Sequence, residues 1–246
     1  MPKKWGQTPF FWQFSLSSAP SNPQSGHSVI TSALLATIPG VHHGFGTAVD
    51  LVPPPLQPHW GERPDKRQVH GTRVAHVTGP HQRVGDADAF HTAQPHLPVS
   101  VITADCVPLL LARRDGRRVA AVHAGWRGLY DGIIPNVLAQ LETGRGDWVA
   151  AIGPTICAAC YEVSEALAQQ FAERFPAHAD RVVPTCRHLD LRALARHQLT
   201  QGGVTAIDDA GGCTCCTRGA DGRYLYRSYR RGDRNSQQHA GLFISR

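Results

Sequence analysis

The hydrophobic pattern is densest between residues 97 and 125. LPVSVITADCVPLLLA and RRVAAVHAG are near-continuous apolar runs there, the pattern of strands covered on both faces. Asp115-Gly116 lies between them and predicts a hairpin turn. RQVHGTRVAHVTG (67–79) carries β-branched residues around Gly71 and reads as one strand or two pieces bent at that glycine. WVAAIGP and GVTAI predict further strands, and RYLYRSYR with AGLFIS a late pair.

The helical period appears in SEALAQQFAERF, where Leu167, Phe171 and Phe175 recur at four-residue spacing behind Ser164 as N-cap. DLRALARHQLTQGG predicts a second helix, capped by Asp190 and closed by Gly202. After Gly128, residues Leu129, Ile133, Val137, Leu138 and Leu141 share one face; Pro135 requires that this helix kink or begin there. Hairpin strands with separate helices give an α+β class, not a doubly wound parallel sheet.

Two Ser/Pro-rich stretches punctuate the N-terminal part. SLSSAPSNPQSGHS (15–28) reads as a linker, and VDLVPPPLQPHWGERP (49–64) as an extended connection. The expected division is an arm and linker over 1–40 and a single domain over 41–246. The opening aromatic run is interrupted by Gln13 and Ser15, which favours an arm over a secretory signal, and no run is long enough to span a bilayer.

Charge changes the picture little. The net charge is +6 and nearly all of the 25 basic residues are arginines. They are scattered, without a recognition-helix or aromatic-repeat signature, so a solvated surface or a small anionic ligand is expected and nucleic acid is not. An odd count of 7 cysteines in a chain this long favours reduced thiols and a cytoplasmic address.

The candidate chemistry lies in the hairpin. With a two-residue turn at Asp115-Gly116, Arg114 faces Arg117, His123 falls opposite Pro108, and Cys106 falls opposite Gly125. Cys106 and His123 are then diagonal neighbours on one face, close enough to share an ion; a slip of one residue in the polar turn would separate them. Asp105 adds a carboxylate inside an apolar run, which is costly unless it faces a polar site. Gly125 and Gly128 flank Trp126 and Arg127, offering close backbone approach beside a stacking face and a cation.

QVHG (68–71), TADC (103–106), HAGWRG (123–128), IGPTICAACYEV (152–163) and SYRRG (228–232) together resemble the signature segments of a purine nucleoside phosphorylase family, also described as multicopper polyphenol oxidase, laccase-domain protein or peptidoglycan editing factor. The resemblance covers roughly 41–246. It implies an α+β fold of packed mixed sheets flanked by helices, and a catalytic Zn2+ held by His70, Cys106 and His123. Three protein ligands leave a fourth position open, as a catalytic site needs. It further implies phosphorolysis of adenosine, inosine or guanosine, and deamination of adenosine.

A ribosyl centre with oxocarbenium character needs an anion held beside C1′. Arg127 is the first candidate for that task, and Arg230 or Arg231 the second; the alternative is a surface or sheet-edge role. Asp105 either moves protons or orients a histidine ligand. His43 and Phe45 are pocket candidates that can equally pack the first strand. HHGFGTAVD departs from the family segment by carrying Ala48 where an arginine is usual, and the stretch that follows is shortened. Cys157/Cys160 and Cys213/Cys215/Cys216 are expected to be free thiols, the second trio being crowded for a metal knuckle. Copper is less expected than zinc, because the 14 histidines include no His-x-His pair. A Cys–His hydrolase is the remaining alternative. Oligomeric state is not legible.

Overall fold

The computed structural model describes residues 29–142 and 146–246, so the linker at 15–28 and the opening arm lie outside the described residues. A helical turn, α1 (Ala33–Ala36), leads into β1 (Val41–Phe45). Then follow β2 (Asp65–Arg67), β3 (Val74–His76), β4 (Arg83–Asp86), β5 (Ala89–Thr92), β6 (Val99–Thr103), β7 (Val107–Arg113) and β8 (Val119–Ala124). The chain continues through α2 (Trp126–Asp131), α3 (Ile133–Gln140), β9 (Trp148–Ile152), α4 (Glu165–Arg174), α5 (Ala179–Val182), α6 (Leu191–Gln201), β10 (Ala206–Asp209) and β11 (Gln238–Ile244).

Three layers result. A six-stranded mixed sheet, in the order β10-β9-β7-β8-β5-β3, is covered on one face by the antiparallel sheet β1-β11-β6 and on the other by helices; β2 and β4 form a small parallel pair. Alternation along β7 and β8 divides the two cores. Leu109, Leu111, Ala120 and Val122 face α3 and α6, whereas Leu110, Ala112, Val119 and Ala121 meet β1, β6 and β11. Leu109, Leu110 and Leu111 are at most 1% exposed, and burying each contributes roughly 1.5–3 kcal/mol. The expected α+β class and both-face coverage of these strands hold.

The hairpin register holds as well, since Pro108 pairs with His123 and Val107 with Ala124. Its turn is longer than expected. The Gly116 N–H donates to the Arg113 carbonyl and Arg113 N–H to Arg118, which closes a four-residue loop with Gly116 at φ +69°. A four-residue and a two-residue loop are both even, so each side chain keeps its face.

Several expectations need correction. Residues 30–40 are not a linker: Leu35 and Ile38 are buried in the inter-sheet core and Ile30 bridges Phe45, so the boundary at 40 falls inside the packed unit. Pro54–Glu62 is a 3-10 helix rather than an extended connection, because prolines in a first turn need no N–H partner and their φ is already helical. The helix after Gly128 breaks at Gly132 (φ +93°) and restarts at Ile133, leaving Pro135 in the first turn of α3. RYLYRSYR forms no named strand. Tyr224 makes only an isolated bridge to Arg218, and three later N–H groups go to side chains, Arg227 to Gln238, Ser228 to Asp233 and Arg230 to Asp105, which leaves none of these three for a ladder. AGLFIS is β11, and it pairs with β1 and β6.

One end of the large sheet's strands collects the chemistry. β9 and β8 run antiparallel to β7, β10 runs parallel to β9, and β5 runs antiparallel to β8. The segments after β8, β9 and β10 and those before β7, β5 and β3 therefore meet at the same end.

Candidate metal centre

Gln68-Val69-His70-Gly71 lies in the turn between β2 and β3, Asp105-Cys106 just before β7, and His123 near the end of β8. Their ligand atoms converge: one nitrogen each from His70 and His123 and the Cys106 sulfur lie within 4.8 Å of one another. The imidazoles of His70 and His123 meet edge to face, 4.8 Å between centroids. Gly125 is what lets the sulfur in, since a Cβ there would stand 3.1 Å from both Cys106 Sγ and His70 Cδ2.

Backbone strain and a buried carboxylate fix the set. His70 has φ +60° and Asp105 φ +95°, both in the left-handed region that non-glycine residues avoid. The turn around His70 is held by Asp88, fully buried, whose carboxylate accepts the N–H groups of Val69, His70 and Gly71 at 3.2, 2.9 and 2.7 Å. The same carboxylate lies 2.7 Å from His123 Nδ1, which leaves Nε2 for Cys106 and an ion. Burial alone would raise the Asp88 carboxyl, yet the His123 and Gly71 hydrogen bonds outweigh it and hold the group below its usual range.

Hydrogen bonding within the cluster favours a thiolate at Cys106 beside a protonated His123. Burial pushes the Cys106 thiol up, but hydrogen bonds from His123 and His70 overcome it and bring it down to about 6. Burial likewise lowers His123, while Asp88 and Cys106 raise it to about 9. A thiolate and two imidazoles, one of them oriented by a carboxylate, form a donor set suited to a borderline-soft divalent ion.

The neighbouring residues behave differently from one another. Asp105, 7% exposed, accepts hydrogen bonds from Thr214 Oγ1 at 2.6 Å and from the Arg230 N–H at 2.7 Å. The carboxylate on His123 is that of Asp88. Arg230 spreads its guanidinium over the Tyr161 ring at 5.0 Å and donates to the Cys160 and Glu162 carbonyls. Arg231 is a brace, donating to the Thr214, Cys215 and Tyr226 carbonyls and to Asp233. Arg127 is exposed at the start of α2, beside Trp126. His43 and Phe45 are buried in the core, with His43 Nε2 accepting the Ser32 N–H at 2.8 Å and the Phe45 ring lying against Gly153. Packing the first strand is the alternative role considered for both.

Two residues of the site escaped the sequence reading. Asp88 stands in the apolar run ADAFHTA, the same signal that singled out Asp105. Tyr161, half-buried, has its hydroxyl raised to about 12 by burial and then by the nearby Cys106 charge. A second cluster, Cys157, Cys160, Cys213 and Cys216, also lies within 4.8 Å. The groove of about 700 Å3 between α3 and α6 shares no residue with either cluster.

Fold and site together define a layered α+β protein with a two-histidine, one-cysteine metal-binding group at the strand ends of its large sheet. Residues 63–245 match the family described as multi-copper polyphenol oxidoreductase laccase, and the chain belongs to that family. It is 34% identical over 194 residues to a purine nucleoside phosphorylase of Xylella fastidiosa (strain 9a5c), covering 76% of this chain and 73% of the relative. The purine nucleoside phosphorylase YfiH of Escherichia coli (strain K12) is 33% identical, covering 65% of each. Among solved structures, the Neisseria meningitidis protein NMB0706 matches at TM-score 0.66 with 30% identity over 78% of each chain. YlmD from Geobacillus stearothermophilus matches at TM-score 0.73 with 22% identity, over 91% of this chain and 98% of that one.

Proposed function

We propose that this protein is a zinc-dependent purine nucleoside phosphorylase that cleaves adenosine, inosine or guanosine with phosphate and also deaminates adenosine. The observation that carries the reading is the convergence of His70, Cys106 and His123, with Asp88 fixing the tautomer of His123. The names of the curated relatives supply the substrate class.

His70, Cys106 and His123 would hold the zinc, which would supply a Lewis-acidic centre there. The remaining work falls to the chain. In phosphorolysis a phosphate oxygen forms the new bond to C1′ as the C1′–N9 bond breaks, and the purine leaves with that electron pair and gains a proton. Arg127 and Arg230 are the cations available to hold the phosphate at the site's rim. Tyr161 offers a protonated hydroxyl and a ring face to the base. Asp105, whose oxygens accept from Thr214 Oγ1 and the Arg230 N–H beside Cys106, is the carboxylate that would take up a proton and return it to the leaving purine.

Incubating the protein with each nucleoside and phosphate, with and without chelator, and resolving the products by chromatography tests the reading. Free purine and ribose 1-phosphate that vanish with chelator support it; undiminished turnover in both His70→Ala and His123→Ala overturns the role of the ion.

The lowered Cys106 thiol favours one second reading, a Cys–His hydrolase with Cys106 as nucleophile and His123 as base. Stoichiometric zinc that is lost in Cys106→Ala would exclude it. Laccase chemistry needs a blue-copper site and a separate histidine-rich copper cluster. Among the described residues, the two metal-binding groups hold two histidines between them, which speaks against that chemistry.

A further inference from the structure

Cys157-Ala-Ala-Cys160 follows β9, and Cys213-Thr-Cys-Cys216 follows β10. Because β9 and β10 are parallel neighbours, both segments leave the sheet side by side. Four sulfurs come together there, within 4.8 Å of one another, and all four are free thiols. Cys215, which made the second segment look crowded, is not one of them. The spacing is two residues in each pair, the arrangement in which one tight turn presents two thiolates to a single ion.

The backbone is shaped to the sulfurs. The first pair spans a 3-10 turn in which the Cys160 N–H donates to the Cys157 carbonyl at 3.0 Å. Cys213 Sγ accepts the Cys157 N–H at 3.2 Å, and it also accepts the N–H groups of Cys215 and Cys216. Donation from the second and third residue onward to the first sulfur is what a thiolate needs when no side chain neutralises it. The segments are further tied by the Thr214 N–H donating to the Thr155 carbonyl at 3.2 Å. Two cations lie against the carbonyls of the same turns, the Arg230 guanidinium on Cys160 and the Arg231 guanidinium on Thr214 and Cys215. They offset the net negative charge that four thiolates leave on a divalent ion.

We propose that Cys157, Cys160, Cys213 and Cys216 form a second metal site, a four-thiolate zinc that joins the loops after β9 and β10. Tetrahedral zinc with sulfur at about 2.3 Å places its sulfurs roughly 3.8 Å apart, within the observed limit. A cluster of several irons holds its cysteine sulfurs farther apart than this. Four protein ligands close the coordination sphere, so the ion is structural and takes no substrate.

The consequence reaches the first cluster through Asp105. Thr155 Oγ1 donates to the Asp105 carbonyl at 2.7 Å and Thr214 Oγ1 to its carboxylate at 2.6 Å. Thr155 stands two residues before Cys157, and Thr214 lies within the second knuckle, directly after Cys213. Clamping the knuckles therefore clamps the left-handed Asp105 that aims Cys106.

Metal content of protein purified under reducing conditions without added zinc tests this. About two equivalents of zinc per chain are expected in the wild type, about one in His70→Ala and about one in Cys216→Ser or Cys157→Ser, with Cys215→Ser retaining both. Cobalt substituted into His70→Ala should give the intense thiolate charge-transfer absorption of a four-sulfur site, and Cys157→Ser should abolish it. Should the cysteine variants fail to fold, stepwise mercurial titration of the wild type still reads the site, because zinc release should track modification of these four thiols. One equivalent in the wild type that disappears in His70→Ala overturns the proposal. So do zinc content unchanged in Cys157→Ser and Cys216→Ser, iron in place of zinc, and a disulfide among the four. Protein with two zinc ions and no phosphorolysis would fail the proposed function yet leave this site standing.

Discussion

Asp88 reaches His123 from just before the neighbouring strand β5, Oδ1 to Nδ1 at 2.7 Å, while the backbone of the two residues pairs through the His123 N–H and the Asp88 carbonyl, also at 2.7 Å. One buried carboxylate thus orients one ligand through its side chain and the turn carrying another, His70, through three N–H groups. Asp88→Asn replaces an acceptor with a donor toward those groups. Metal affinity should fall roughly 10- to 100-fold, the usual effect of losing such a partner. Competition titration with a zinc indicator measures it, and unchanged affinity would show that Asp88 only anchors the loop.

Gly125→Ala inserts a methyl group 3.1 Å from two ligand side chains. Overpacking typically costs about 1–3 kcal/mol, so zinc binding should weaken on the order of ten- to a hundredfold. Phosphorolysis should fall with it, and the thermal midpoint of the metal-free protein should move little by comparison. Full affinity in this variant would mean that the helix start shifts to admit the methyl group.

Alkylation of the metal-free protein reads the Cys106 thiolate directly. The thiol is depressed to about 6, so its modification rate should be near its plateau at pH 7 and fall as pH drops through 6. Peptide mapping separates it from the other thiols. A rate still climbing through pH 8 would contradict the thiolate–imidazolium pairing, and added zinc should protect Cys106 throughout.

Acid stability should depend on His43. Burial lowers this imidazole to about 4 from 6.5. The unfolded chain takes up its proton first, so stability falls as pH drops from about 6.5 to about 4 and levels off below. His91 and His239, also lowered to about 4 by burial, add to the same slope. His43→Gln should remove on the order of 3 kcal/mol of the pH-dependent loss across that window. Urea midpoints at pH 7 and pH 4.5 measure it, and equal slopes in variant and wild type would refute the assignment.

Legibility followed the range of the interaction. Ser164 and Asp190 cap their helices as read, accepting from Leu167 and Ala193, because a cap involves residues three apart. The Cys106–His123 relationship was readable across 17 positions because a hairpin of even loop length preserves facing. Asp88 was not, since its partners lie 17 to 35 residues away on β8 and before β3. RYLYRSYR looked like a strand by composition, and only the acceptors that tertiary contacts bring to its N–H groups made it a loop.

The amino-acid sequence by itself determined the α+β class, the buried hairpin, the helix caps and the residues that resemble a metal-ligand set, because these depend on local periodicity and short-range hydrogen bonding. Tertiary structure alone decided that six strands present their loops at one end of the sheet. It thereby selected Asp88 as the orienting carboxylate, moved His43 and Phe45 into the core, and gathered four cysteines from two loops. Strand order joins residues distant in the chain, and no local pattern encodes which carboxylate or thiol will be closest once the layers pack.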